Sequence, residues 1–247
     1  MTILRKEVIG GQTLLLGDCL EVMPLIGKVD AVVTDPPYGA TETHAAHLSK
    51  ISLRNGEPAR QALGFEGITG AELVDMAVMW TKAAARWVVF TCEWKHAHLL
   101  DEVGILVRLG IWRKPDGAPQ FTGDRPGTGW EAVAICHRKG RKRWNGGGKH
   151  AVWTFPKGAG HGHPTQKPEP FISALLSDFT DPGETILDPF MGSGTTLVAC
   201  ERLGRQGIGI EIDPDYFAIA CKRVDEESRQ PRMFVEPAPR PVQEGLL

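Results

Sequence analysis

The chain has 247 residues, of which 42% are hydrophobic and 23% are charged, and its formal net charge at pH 7 is −2. These values are typical of a globular protein and exclude disordered, fibrous and membrane-embedded classes. We expect no transmembrane helix and no signal peptide, because no apolar run has the required length and flanks. Five scattered cysteines without a Cys-x-x-Cys pair indicate a reducing, cytoplasmic setting and argue against a structural metal.

Short apolar runs of strand length alternate with helical patterns along the chain, which predicts an α/β fold with a mostly parallel sheet. Strands are predicted at residues 13–16, 29–34, 87–91, 105–112, 131–137, 185–187 and 207–212. Helices are predicted at residues 71–86, 171–179 and 195–203, and a fourth begins after Asp213. Thr69-x-x-Glu72 is typical of a capping box, and Asp213-Pro214 of a helix start. Strands 105–112 and 131–137 are expected to pair antiparallel at one edge of the sheet.

Several segments lack such periodicity. Residues 40–67 follow a Pro-Pro turn and are expected to form a long mobile loop. Residues 113–129 and 139–162 are rich in glycine, proline and basic side chains. Residues 231–247 are Pro-rich and are predicted to be a tail without structure of its own, which leaves residues 1–230 as a single domain.

The charge is unevenly distributed. Residues 132–168 contain eight Lys or Arg and no acidic residue, so the rest of the chain carries a net charge of −10. A positive segment on an acidic body is the pattern expected of a surface that contacts phosphates. A solvated loop that is kept soluble by its charges accounts for the same composition.

A glycine-rich stretch, Asp188-Pro189-Phe190-Met191-Gly192-Ser193-Gly194-Thr195, lies between a predicted strand and a predicted helix. Glycines there let the backbone approach a ligand closely. A dinucleotide fingerprint needs a third glycine where Leu197 stands, and no Gly-Lys-Ser/Thr follows, so pyrophosphate and P-loop sites are disfavoured. A nucleoside without phosphates fits better. Glu211 ends the next strand, where a carboxylate can accept hydrogen bonds from both hydroxyls of a ribose.

The tetrapeptide Asp35-Pro36-Pro37-Tyr38 follows the predicted strand 29–34 and is the more specific signal. Its prolines fix the backbone and remove two amide donors, which leaves carbonyl oxygens as acceptors. Asp35 adds an anionic acceptor, and Tyr38 a flat face for stacking. Together these groups suit a planar heterocycle that carries an exocyclic amine. An ordinary turn after a buried strand is the alternative.

With these motifs the chain resembles the DNA amino-methyltransferases that use S-adenosyl-L-methionine, in the β-class order in which the Asp-Pro-Pro-Tyr motif precedes the Phe-x-Gly-x-Gly motif. Gly17-Asp18-Cys19-Leu20 and His163-Pro164-Thr165-Gln166-Lys167-Pro168 match further family elements, so the resemblance spans about residues 12–224. It implies a Rossmann-like, class I methyltransferase fold. This fold has a mostly parallel sheet of seven strands, an antiparallel edge hairpin and helices on both faces. The basic stretch then occupies the place of a DNA-recognition insert, about residues 113–162.

The resemblance assigns roles to individual residues. The catalytic residues are Asp35, Pro36, Pro37 and Tyr38. The cofactor-binding residues are Asp18, Cys19, Asp35, His163, Thr165, Gln166, Lys167, Asp188, Phe190, Gly192, Ser193, Gly194, Thr195 and Glu211. The predicted DNA-binding residues are Arg138, Lys139, Arg141, Lys142, Arg143, Trp144, Asn145 and Lys149. The histidine spacing favours no metal site, and no metal is predicted.

The sequence is therefore interpreted as a site-specific DNA methyltransferase that acts on the N6 amine of a flipped-out adenine. Asp in the first motif position is usual for adenine enzymes of this family and Ser for cytosine-N4 enzymes, so cytosine-N4 methylation is the second choice. A DNA-binding relative without catalysis is a third, and protein-glutamine methylation is disfavoured because its motif begins with Asn. The expected partner is double-stranded DNA. The protein is expected to form a homodimer and to be encoded by a prokaryote or a phage. The motifs specify neither the recognition sequence nor a partner restriction endonuclease.

Overall fold

The structure is a computed structural model that describes residues 3–37, 68–117, 119, 123–157 and 166–230. The predicted loop 40–67 and the predicted tail 231–247 lie outside these residues. In the described part of the chain, no helix is long and apolar enough to cross a membrane.

A single sheet of nine strands forms the centre of the described structure, in the order β1-β2-β9-β8-β3-β4-β6-β5-β7. The strands are β1 (Arg5–Ile9), β2 (Gln12–Leu16), β3 (Ala31–Thr34), β4 (Trp87–Cys92), β5 (Leu106–Arg113), β6 (Trp130–His137), β7 (Val152–Thr154), β8 (Thr185–Asp188) and β9 (Gln206–Glu211). β1 pairs antiparallel with β2, and β6 pairs antiparallel with both β4 and β5. The other neighbouring strands are parallel. The mostly parallel α/β sheet is confirmed.

Six α-helices connect these strands in the described residues: α1 (Cys19–Val22), α2 (Gly70–Ala83), α3 (Ala97–Glu102), α4 (Glu169–Phe179), α5 (Thr195–Arg202) and α6 (Pro214–Ser228). The predicted capping box is present, because Thr69 and Glu72 bond each other reciprocally at the start of α2. The side chain of Asp213 caps α6, as predicted. The short helices α1 and α3 escaped prediction because fewer than two turns give no helical periodicity.

The expected strand count was wrong at both edges of the sheet. The antiparallel pair β5–β6 is confirmed, but β7 adds to the outer side of β5 and is the edge strand. At the other edge β1 forms a hairpin with β2. β1 is mostly exposed and β7 has only three residues, so neither produces an apolar run. The expected insert at residues 113–162 likewise contains two strands of the sheet, β6 and β7.

Helices cover both faces of the sheet, and the apolar core lies in the two layers between. On one face Leu73 and Trp80 of α2 pack against Val32 and Phe90. On the other face α4 packs against Val33 and its neighbours, with Phe171, Leu175 and Phe179 buried. α5 and α6 bury Leu197, Val198 and Phe217 near β2. The two-sided cover explains why the central strands are continuous apolar runs without alternation.

Strands β3 and β8 are neighbours at the centre of the sheet although about 150 residues separate them in the sequence. From β3 the chain passes through α2 to β4 on one side, and from β8 through α5 to β9 on the other. The loops after β3 and β8 therefore diverge at the carboxyl ends of the strands. This is the topological switch point at which open α/β sheets bind their ligands.

Candidate active site

Asp35 follows β3 at this switch point, and two neighbours hold its carboxylate. The register pairs Val33 with Val89 and Thr34 with Phe90, so Asp35 comes level with Thr91 of β4. The Thr91 hydroxyl donates a hydrogen bond to Asp35 Oδ1. Lys167 Nζ lies 2.7 Å from each oxygen of the same carboxylate. Asp35 is thus a fixed anion at the rim of the sheet, with 28% of its side chain exposed.

The residues after Asp35 continue the turn. Pro36 is buried, and the Pro37 carbonyl accepts a hydrogen bond of 3.1 Å from the Ile68 amide. That bond ties the turn to the chain just before α2. Tyr38 lies outside the described residues, so its predicted stacking role stays a prediction.

Asp188 ends β8 and connects the Asp35 strand with the glycine loop. Thr34 Oγ1 donates to Asp188 Oδ1 at 2.6 Å, and the Phe190 amide donates to the same oxygen at 3.1 Å. Burial raises the pKa of the Asp188 carboxyl to about 6, although hydrogen bonds from Thr34, Thr196 and Phe190 act in the opposite direction. Asp188, predicted to bind the cofactor, points into the protein and shapes the loop.

The glycine loop between β8 and α5 has the conformation that its sequence suggests. Gly192 and Gly194 have φ angles of +51° and +81°, in the left-handed region that side chains disfavour. A Cβ on Gly194 would also lie 2.9 Å from Ala220 Cβ of α6. Arg223 of α6 fixes the loop from outside, because its guanidinium donates to Ser193 Oγ at 2.9 Å. A side chain is therefore disfavoured at Gly192 by its φ angle and at Gly194 by both its φ angle and the contact with Ala220.

Glu211, at the end of β9, faces this loop. Its Oε2 accepts a hydrogen bond of 2.9 Å from the Gly192 amide, and its Oε1 accepts one of 2.9 Å from the Asp213 amide. Burial raises the pKa of Glu211, while these backbone bonds favour its charged form. Each carboxylate oxygen can accept a further bond, so the predicted ribose contact is compatible with the geometry.

The other predicted cofactor residues lie at the start of α1, in the glycine loop, or in the segment before α4. Asp18 and Cys19 lie at the start of α1, next to Glu211, because the Gly17 amide bonds the Glu211 carbonyl at 2.8 Å. Burial raises the pKa of the Cys19 thiol to about 12, so this cysteine is unreactive. Phe190 packs edge-on against Trp80, with ring centroids 6.1 Å apart. Ser193 and Thr195 are buried in the loop, and Gln166 precedes Lys167. His163 and Thr165 lie outside the described residues.

Two charged residues of this edge were missed by sequence reasoning. Glu131 is the second residue of β6, and its carboxylate lies 3.3 Å from Lys167 Nζ. Lys114 follows β5 and donates to Glu131 Oε1 at 2.6 Å. A signal was present: Glu131 alternates with Val133 and Ile135, which puts a carboxylate on the apolar face of a strand.

The predicted DNA-binding segment, residues 138–149, begins at the amino end of β4, whereas Asp35 lies at the carboxyl end of the central strands. β6 runs antiparallel to β4, so the residues after His137 emerge beside Trp87, where β4 begins. The indole of Trp87 donates to the Arg143 carbonyl. Thr91, which contacts Asp35, is four residues further along β4, roughly 13 Å away. The structure therefore does not bring this segment together with Asp35.

Half of the segment is engaged within the protein. Trp144 packs edge-on against Phe179, with ring centroids 4.9 Å apart. The Asn145 amide donates to the Thr180 carbonyl at 2.9 Å and to Asp181 at 3.0 Å. Arg143 and Lys149 pair with Asp181 and Asp178. Trp144 and Asn145 thus have partners within the protein, and their predicted contact with DNA stays a prediction. Arg138, Lys139, Arg141 and Lys142 are exposed, and their contact with DNA stays a prediction.

The described carboxyl-end residues fit a nucleoside cofactor next to an amine-binding turn. Gly192 has open space beside its Cα, and Glu211 provides buried acceptors on the adjacent strand. Ile212, with 58% exposure, adds an apolar surface beside them. Asp35 lies one strand away from β8, on the other side of the switch point. The predicted nucleoside and amine sites are thus adjacent, as group transfer between them would require.

Comparison with known proteins identifies the family. The DNA methylase family N6_N4_Mtase matches residues 29–222. The type II methyltransferase M.XycI of Xanthomonas campestris pv. cyanopsidis is 27% identical, over 92% of each chain. The type II methyltransferase M.HinfI of Haemophilus influenzae is 25% identical, over 89% of this chain and 70% of its own.

Solved structures agree with this result. The M1.HpyAVI–SAM complex superposes with a TM-score of 0.65 and 25% identity, covering 87% of this chain and 99% of that one. The cytosine-N4-specific PvuII DNA methyltransferase has a TM-score of 0.68 at 16% identity, over 90% of each chain, which shows a shared fold. The chain therefore belongs to the N6/N4 DNA methylase family and is an S-adenosylmethionine-dependent DNA methyltransferase.

Proposed function

We propose that this enzyme methylates the N6 amine of adenine in double-stranded DNA. The observation that carries the proposal is Asp35, which stands first in the Asp-Pro-Pro-Tyr motif and is fixed by Thr91 and Lys167 at the rim of the sheet. Adenine and cytosine both present an exocyclic amine, so the choice of adenine rests on Asp in this position. The target is inside a duplex and must be flipped out to reach Asp35.

Asp35 and the Pro36 carbonyl are proposed to accept the two N–H bonds of the target amine. With both hydrogens directed to the protein, the nitrogen lone pair is oriented toward the cofactor side of the switch point. S-adenosylmethionine, when bound, supplies an electrophilic methyl group. Asp35 accepts the proton that the amine loses, and it need not be a strong base, because the nitrogen becomes acidic as it is alkylated.

The cofactor is proposed to lie along the loop 190–195, with its ribose on Glu211. Support comes from the Glu211–Gly192 bond, which places the carboxylate directly against the loop. Lys167 and Thr165 are assigned to the carboxylate end of the cofactor on family resemblance. A homodimer is part of the proposal. The cytoplasmic location is proposed on the five cysteines, all of them free.

The base assignment is tested by mass spectrometry of nucleosides. Unmethylated plasmid DNA is incubated with purified enzyme and S-adenosylmethionine, then digested completely. The proposal expects N6-methyldeoxyadenosine. N4-methyldeoxycytidine would replace adenine by cytosine as the target, and the absence of both products would indicate a DNA-binding relative without catalysis. Sequencing with modified-base detection on the same DNA then gives the recognition site.

A further inference from the structure

Four charged side chains of alternating sign form a row at the carboxyl-end edge of the sheet. Lys114 Nζ lies 2.6 Å from Glu131 Oε1, and Lys167 Nζ lies 3.3 Å from Glu131 Oε2. Lys167 Nζ in turn lies 2.7 Å from Asp35. The row therefore runs Lys114–Glu131–Lys167–Asp35, and Glu131 is shared by two ammonium groups. We call these four residues the charge row.

The sheet register explains why the row exists. Trp112 of β5 lies opposite Glu131 of β6, and cross-strand partners project from the same face. Lys114, two residues after Trp112, returns to that face. α4 packs on this face through Phe171 and thereby delivers Lys167, which precedes the helix. Both ammonium groups lie near the Trp112 ring, at 5.1 and 6.0 Å from its centroid.

Burial makes the charges in the row depend on one another. The side chains of Lys114 and Lys167 are only 10% and 9% exposed, and those of Glu131 and Asp35 are 25% and 28% exposed. Charges that are withdrawn from water are weakly screened, so each one is felt by the next. Lys167 is attracted by Asp35 on one side and by Glu131 on the other. The strength of its contact with Asp35 thus depends on how much negative charge Glu131 offers.

We propose that Glu131 and Lys114 are positioning residues, which set how firmly Lys167 holds Asp35 and hence how available Asp35 is to the target amine. The inference rests on the proposed role of Asp35. Without the Glu131 charge, Asp35 is the one carboxylate of the row that remains for Lys167, and the row carries one excess positive charge. Both changes oppose an amine that becomes positive as it is methylated. Without the Lys114 charge, Glu131 attracts Lys167 more strongly and the row carries one excess negative charge, which has the opposite effect.

The kinetic test compares Glu131→Gln with Lys114→Met. Methyl transfer is measured with tritiated S-adenosylmethionine and unmethylated plasmid DNA under saturating and limiting DNA. We expect Glu131→Gln to lower kcat about tenfold or more, with KM for DNA changed less than about threefold. Lys114→Met should raise kcat above the wild-type value, and an unchanged kcat in this variant would remove Lys114 from the inference. Glu131→Asp, which keeps the charge, should recover most of the activity.

A change in the same direction for Glu131→Gln and Lys114→Met would overturn the inference, since a purely structural role predicts losses in both. Unchanged kcat in Glu131→Gln would overturn it as well. The dissociation constant of S-adenosylhomocysteine is measured in parallel, and a kcat loss that merely follows weaker cofactor binding also counts against the inference.

A second test does not require activity, and it separates this inference from the proposed function. Glu131→Gln and Asp35→Asn each leave Lys167 one of the two carboxylates of the row, whereas the double variant removes both. If Lys167 is shared, the melting temperature of the double variant falls by more than the sum of the single changes. Additive changes would disprove the sharing. If the variants show the non-additive loss but the wild-type protein transfers no methyl group, the sharing of Lys167 stands and the proposed function is refuted.

Discussion

Thr34 Oγ1 donates a hydrogen bond of 2.6 Å to Asp188 Oδ1 and thereby joins the two halves of the site. Thr34 is the last residue of β3 and precedes Asp35, while Asp188 is the last residue of β8 and precedes the glycine loop. The backbone ladder between these strands pairs only Ala31 with Ile186 and Val32 with Leu187. Beyond it, the side-chain bond sets the spacing between the Asp35 turn and the glycine loop.

Asp188→Asn should therefore change how stability depends on pH. Burial raises the folded-state pKa of Asp188 from 3.8 to about 6, so the folded protein binds this proton more tightly than the unfolded chain. Stability contributed by that proton is present below pH 3.8 and is lost as the pH rises to about 6. Two pKa units correspond to about 3 kcal/mol, and Asn does not ionise.

We accordingly expect the free energy of unfolding of Asp188→Asn to rise relative to that of the wild type as the pH increases from about 4 to about 6. Above about pH 6 the difference between the two proteins should stay constant. Urea unfolding at several pH values measures this difference. Asp75→Asn, at an exposed position in α2, is the matched control for adding one asparagine. A difference for Asp188→Asn that does not vary with pH would mean that Asp188 is not the titrating group.

Glu211→Gln should weaken cofactor binding and remove part of its pH dependence. The ionised carboxylate accepts stronger hydrogen bonds from ribose hydroxyls than a neutral amide does, typically by about 1 kcal/mol or more. Because the pKa of Glu211 is raised, the carboxylate becomes protonated as the pH falls, and the wild-type protein should then lose affinity for the cofactor. Isothermal titration with S-adenosylhomocysteine at several pH values checks both effects. Equal affinities with parallel pH profiles would place the ribose elsewhere.

Asp35→Ala should abolish methyl transfer while cofactor affinity changes less than about threefold. Loss of an oriented acceptor typically costs about 10²-fold or more in rate, roughly 3 kcal/mol. Asp35→Asn is the control, because it keeps the shape next to Lys167 and removes only the charge. Thr91→Val removes the hydroxyl that donates a hydrogen bond to Asp35 and should lower the rate of methyl transfer by a smaller factor. Activity of Asp35→Ala above about a tenth of wild type would exclude its catalytic role.

Neutralising the exposed basic residues should test whether the far edge of the sheet contacts DNA. Arg138→Ala/Lys139→Ala removes two charges that are exposed and remote from Asp35. If both contact phosphates, the slope of log K against log[salt] should fall by about 0.9 per contact, equally for specific and scrambled duplexes. The control is Lys82→Ala/Lys222→Ala, which removes one exposed lysine from α2 and one from α6. An identical slope in both double variants would assign this segment to the solvated surface.

The fold was predictable wherever the chain is buried on both faces or capped. The central strands are apolar runs, and the caps at Thr69 and Asp213 fix where two helices begin. The site motifs were predictable because Asp35 and Gly192 follow strands that end at the same edge. Composition could not place the basic segment. Its position depends on the direction of β6: an antiparallel strand delivers the following residues to the amino-end edge, and a parallel one would have delivered them to Asp35.

The charge row was beyond prediction for a related reason. Its contacts require the register that sets Glu131 opposite Trp112, and a shift of one residue would turn Glu131 to the other face. Nothing local in residues 106–137 specifies that register, because the turn between the two strands is long. The contact of Lys167 with Glu131 then depends on the docking of α4, which is a tertiary event.

The pairing of β2 with β9 has a consequence for the order in which the protein is made. β2 leaves the ribosome early, yet its parallel partner is the last strand of the sheet, and β3 likewise waits for β8. β3 exposes an unpaired backbone edge until about residue 188 is synthesised, and β2 until about residue 211, and contacts this distant in sequence form slowly. Because the proposed ribose contact, Glu211, ends β9, we expect the cofactor to bind only after β9 has been made. We expect ribosome-bound chains to become resistant to protease only after β9 has emerged, and S-adenosylhomocysteine to protect those chains and no shorter ones.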